Sequence, residues 1–76
     1  MDGPDRQVLI DIVNVKMPFG KYKGRVISDL PIYYLEWFNK KQWPEGKIVY
    51  LMRNTYEIKI NGMEPLLREI KYVLRK

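Results

Sequence analysis

Four cations, Lys16, Lys21, Lys23 and Arg25, fall between Ile12 and Ser28, a stretch that contains no acidic residue. Lys21 and Lys23 flank Tyr22, and Gly20 and Gly24 bracket that trio. The stretch holds +4 of the chain's formal +5 charge, and the remainder of the sequence is mixed in sign, as an ordinary solvated surface is. Ammonium and guanidinium groups that neutralise phosphates, a ring on which a base can stack and glycines that let backbone amides approach an oxyanion are the parts of a sequence-tolerant single-strand platform. In that reading Lys21, Lys23 and Arg25 contact phosphates, Tyr22 stacks and Lys16 extends the patch. The same residues also make an ordinary hairpin tip, with the glycines serving the turn, Phe19 and Tyr22 facing the core and the lysines solvated. The pattern alone leaves both readings open. It is not the phosphate cradle of nucleotide hydrolases, because three residues separate Gly20 from Gly24 and no Gly-Lys pair is followed by Ser or Thr.

Composition removes most catalytic chemistry. With no Cys and no His there is no thiolate nucleophile, imidazole base, Ser-His triad, haem ligand or usual zinc site, and no disulfide. Carboxylates holding Mg²⁺ or Mn²⁺ are the remaining route, and that route requires convergence. Glu57 and Glu64 are separated by a helix cap, Asp29 reads as a cap itself, and Glu36 and Glu69 have basic neighbours at helical spacing. Asp11 and Glu57 are left free to meet in space. The expectation is a chain with no catalytic residue, metal site or cofactor, and therefore not an enzyme.

The elements that must position the basic stretch follow from periodicity. Pro4 and Asp5 open a segment to Val15 whose Val8, Leu9, Ile12 and Val13 fit a helical stripe. From Lys16 to Ile27 the period shortens: Met17 and Phe19 alternate with Lys16 and Pro18, and Val26-Ile27 are good strand residues. This predicts a short two-stranded β-hairpin with its reversals at Gly20 and Gly24. Ser28-Asp29-Leu30-Pro31 reads as a helix start, with a Ser or Asp side chain accepting first-turn amides, and the helix runs from about Leu30 to Lys40. Its Leu30, Tyr34, Trp37 and Phe38, with Leu35 beside them, form the core face, whereas Tyr33 projects elsewhere and is the better surface candidate. Trp43 reads as a staple on the next helix.

After the break at Pro44-Glu45-Gly46, Ile48, Leu51, Met52, Thr55 and Ile58 keep helical spacing to about Ile60. Asn61-Gly62 is also a hairpin signal. The helical spacing of Leu66, Leu67, Ile70, Val73 and Leu74 beyond it favours a left-handed cap joining two helices. Arg68, Lys71, Arg75 and Lys76 lie towards the end of the last helix, where the dipole favours cations.

The expected fold is α+β: about four helices with one short two-stranded hairpin, forming a single domain over residues 1–76. Its core is Phe19, Ile27, Leu30, Tyr34, Trp37, Phe38, Leu51, Met52, Ile58, Leu66, Ile70 and Leu74. At 46% hydrophobic and 30% charged residues the 76-residue chain has the composition of an ordered domain. Its first residues, Met1 to Asp5, are acidic where a secretory signal is basic, and no apolar run nears the roughly 20 residues that span a bilayer, so the expectation is a cytoplasmic protein with no membrane contact. Large apolar residues are in surplus for so small a chain. That surplus motivates an alternative to nucleic-acid binding, a protein-interaction adaptor or homodimer.

The sequence carries a further pattern: Met17 to Gly24, then Asp29-Leu30-Pro31, Tyr34-Leu35, Trp37-Phe38, Pro44-Glu45-Gly46, Glu57-Ile58-Lys59 and Asn61-Gly62. It resembles, over nearly its whole length, the small bacterial family labelled "putative quorum-sensing-regulated virulence factor", a domain without an established function. Its first half is similar to a segment that follows the catalytic domain in exonucleases of the exonuclease X type. That resemblance implies an accessory role in nucleic-acid handling and carries over no catalytic residue, since the exonuclease domain and its metal-binding acids are absent from the sequence.

Overall fold

The computed structural model describes residues 5–74. Met1 to Pro4, Arg75 and Lys76, to which expectations attach above, lie outside the described residues. Four helices follow one another: α1 (Arg6–Asn14), α2 (Ile32–Lys40), α3 (Lys47–Ile60) and α4 (Glu64–Leu74), with a 3-10 turn over Ile27–Asp29 leading into α2.

Helix α1 starts where the side chain of Asp5 can take up a free amide, its Oδ1 accepting from the Val8 amide at 2.9 Å. At the joint of α3 and α4, Gly62 adopts φ +72°, a conformation costly for any residue with a Cβ. The Gly62 amide then donates to the Lys59 carbonyl at 3.1 Å and the Met63 amide to the Ile58 carbonyl at 3.0 Å. This is the paired bond pattern of a Schellman cap, and it makes Asn61-Gly62 a helix terminator and not a hairpin turn.

Helix α2 packs on α3, and α1 packs on both α3 and α4, while the 3-10 turn wedges against α1 and α3. The core they enclose takes Val8, Ile12 and Val13 from α1, Leu35 from α2, Leu51, Met52, Tyr56 and Ile58 from α3, Leu67 from α4, and Met17, Ile27 and Leu30 from the connections. Thr55 is also buried, and its hydroxyl donates to the Leu51 carbonyl at 2.9 Å, which removes the cost of burying it. Among the described residues no helix is long and apolar enough to cross a membrane.

Three expectations are corrected. The α+β class is wrong: among the described residues there is no strand, and the predicted hairpin reduces to a single antiparallel bridge, Lys16 with Val26, so the fold is all-α. Pro18 has no amide to continue the ladder, and the chain turns away at Phe19 instead. The second helix begins at Ile32, later than Leu30, because a residue before proline is held out of helical geometry; Leu30 is extended at φ −68°, ψ 134°. Neither Ser28 nor Asp29 caps it. Asp29 pairs with Lys71 of α4 instead, and the Ser28 hydroxyl is buried with no hydrogen-bond partner. Finally Phe19, Trp37 and Leu74, all expected in the core, are exposed.

Candidate nucleic-acid interface

Residues 16–26 form a loop held shut at its neck by main-chain hydrogen bonds. The Met17 amide donates to the Arg25 carbonyl at 2.7 Å, the Gly24 amide to the Met17 carbonyl at 2.8 Å and the Ile27 amide to the Val15 carbonyl at 3.0 Å. Met17 is turned into the core beneath this neck. At the tip the Lys23 amide donates to the Gly20 carbonyl, and Gly20 itself sits at φ +80° close under α2, where a Cβ would lie 3.1 Å from the Tyr34 hydroxyl. Gly20 therefore serves both a left-handed turn and a close approach.

Tyr22 is the half-buried residue that fastens the tip to α2. Its ring meets Tyr34 edge to face at 4.7 Å between centroids, and its hydroxyl shares a 2.6 Å hydrogen bond with the Tyr33 hydroxyl. The Lys21 ammonium and the Arg25 guanidinium stand 5.5 Å and 5.7 Å from the centre of the same ring. The structure thus brings Lys21, Tyr22 and Arg25 together. Lys16 stays at the neck and Lys23 at the tip, both exposed. None of the ion pairs among the described residues involves these four cations.

Of the face of α2 beside the loop, sequence reasoning placed Tyr33 at the surface, as the structure has it, and missed Trp37, which it turned into the core. Tyr33 and Trp37 are 61% and 55% exposed, one helical turn apart, and the Lys41 ammonium lies 5.9 Å from the centre of the Trp37 ring. With Lys21, Tyr34 and Phe38 they line a shallow depression of about 470 Å³. Its floor is braced by ring contacts: Tyr34 on Phe38 at 5.2 Å, Trp37 on Phe38 at 5.1 Å, and Phe38 stacked on Trp43 at 5.8 Å. Trp43 in turn touches Tyr56 of α3 at 6.0 Å between centroids, so it does staple α2 to the following helix. Pro31 was the available signal for the exposed rings, since it shifts the start of α2 and with it the phase of the buried face.

No group of three or more acids converges to hold a metal ion among the described residues. One titration is perturbed. The hydrogen bond to Tyr33 holds the Tyr22 phenol above the ordinary tyrosine range; burial and the nearby Tyr33 add to the rise, and Arg25 opposes it. A raised pKa means that this bond's stabilisation is complete below the ordinary tyrosine value and is lost as pH rises through the raised one. Tyr33→Phe is expected to bring the Tyr22 titration back down, measured by NMR of the Tyr22 ring. An unchanged midpoint would assign the shift to burial alone.

The chain is similar to the Uncharacterized protein YpeB of Escherichia coli strain K12, at 47% identity over 68 residues that cover 88% of this chain and 94% of YpeB. YpeB of Escherichia coli O157:H7 gives the same identity and coverage. No solved structure matches significantly. The family described as "putative quorum-sensing-regulated virulence factor" matches residues 5–70, across all of α1, α2 and α3 and into α4, and the chain belongs to it.

Proposed function

We propose that this chain is a non-catalytic module that binds unpaired nucleic acid weakly and with little sequence preference, Lys16, Lys21, Lys23 and Arg25 contacting phosphates. The observation that carries the reading is an acid-free basic loop fastened by Tyr22 beside exposed aromatic rings of α2. Charge alone would attract any polyanion. Cations next to exposed rings favour a strand whose bases are unpaired.

The test is a titration of labelled single strands at several salt concentrations. Neutralising about four phosphates gives a slope of log affinity against log salt of roughly −3. Lys21→Ala with Lys23→Ala is expected to halve that slope to roughly −1.5 and to weaken every sequence alike, because phosphate contacts position without specifying. Strands incubated with Mg²⁺ are recovered intact. Absence of binding at low salt, or unchanged affinity in the folded double variant, would remove the reading.

A second reading, an adaptor or homodimer, draws support from α4, where Val73 and Leu74 are exposed and, with Glu69 and Ile70, border a depression of about 310 Å³. A strict monomer across the micromolar range removes its homodimer form.

A further inference from the structure

We propose that the depression between the 16–26 loop and α2 is a base subsite in which Tyr33 and Trp37 each receive one nucleobase of an extended single strand; this rests on the nucleic-acid reading above. The two residues stand at i and i+4 on α2, so their backbone positions are separated by about 6 Å along the helix axis. Bases within a duplex strand rise about 3.4 Å per step. Two bases seated on successive rings are therefore unstacked from one another, which a single strand permits and a duplex does not.

Charge is disposed to match. Lys21 lines the depression, Lys41 lies against the Trp37 ring, and Arg25 is held at the Tyr22 ring beside it. Cations therefore stand next to the aromatic rings, an arrangement complementary to a base flanked by its phosphates. The acid nearest to Trp37 in sequence, Glu36, is rotated about 100° away around the helix. The rings are also preorganised. Tyr33 is fixed through its hydroxyl to Tyr22, and Trp37 is braced edge-on by Phe38, so little side-chain order has to be gained on binding.

Fluorescence anisotropy of labelled oligo-dA, oligo-dT and an abasic strand, each of about ten nucleotides and all at the same low salt, separates the base subsite from phosphate binding. Oligo-dA and oligo-dT are each expected to bind at least about 5-fold tighter than the abasic strand. Trp37→Ala is expected to weaken oligo-dA by about 5- to 150-fold and to leave the abasic strand unchanged, while Trp37→Phe retains most of the affinity. Trp37 is exposed, so the variant folds, and a thermal melt verifies it. An abasic strand that binds as tightly as oligo-dA with the same salt slope overturns the base subsite and leaves the phosphate reading standing. Equal losses on all strands in Trp37→Ala overturn it as well. If no strand binds, the reading itself fails and the subsite with it.

Discussion

Truncation of Leu35 to Ala is expected to cost about 2–5 kcal/mol, whereas truncation of the larger Trp37, two residues on, is expected to cost under about 1 kcal/mol. Leu35 is fully enclosed between α2 and the core, and Ala leaves a cavity that neighbouring helices close only in part. Trp37 rests on Phe38 with the Lys41 ammonium beside its ring, and more than half of it is in solvent. The loss at Leu35 is a large share of the total stability of a domain this size, about 0.05–0.15 kcal/mol per residue. Denaturant midpoints of the two variants give the order directly. A larger loss at Trp37 would mean that the aromatic face of α2, and not Leu35, carries the packing.

Replacing Lys59 with Met is expected to destabilise the chain by about 1–3 kcal/mol although no hydrophobic contact is removed. The Lys59 side chain is only 9% exposed; its Nζ donates to the Leu30 carbonyl at 2.8 Å and lies 3.4 Å from Glu64 Oε2. Leu30 precedes Pro31, so its carbonyl falls at the seam between the 3-10 turn and α2, and the donor comes from a distant helix. Methionine keeps the aliphatic stem and leaves that acceptor unpaired in a dry setting. Glu64 is half exposed, and Glu64→Gln should cost under about 1 kcal/mol, since solvent screens the pair. Equal losses from the two substitutions, read from urea denaturation, would shift the credit from the carbonyl bond to the ion pair.

Asp5, the α3 stripe Leu51-Met52-Thr55-Ile58 and the Asn61-Gly62 joint announced themselves through local chemistry, and the structure has all three. Helix α2 was read in the right place with the wrong phase. Counting its face from Leu30 pointed Trp37 inward, whereas the break at Pro31 centres burial on Leu35 and leaves Tyr34 and Phe38 at the margins. Alternation across residues 16–19 suggested a strand, and a strand needs a run of donors that Pro18 interrupts. In the candidate site the cations could be named from their spacing. Of the rings of α2 beside them, Tyr33 was placed at the surface and Trp37 was not, because its exposure depends on how the loop and helix meet, and the Tyr22–Tyr33 bond that joins the two spans eleven positions.

The neck of the 16–26 loop makes the tip a cassette. Main-chain bonds close the chain at Lys16 and Val26, and Met17 seals the core beneath, so the residues beyond the seal meet the helices through Tyr22 and the close approach of Gly20. Within that segment Tyr22 alone is half-buried and carries the docking to α2; Pro18, Phe19, Lys21 and Lys23 face solvent. Substitution there is governed by the backbone bonds it preserves and by the positive φ and close approach to Tyr34 at Gly20. Divergence can therefore rewrite what the tip recognises, by charge or by length, without renegotiating the architecture that presents it, provided an aromatic anchor survives at its centre.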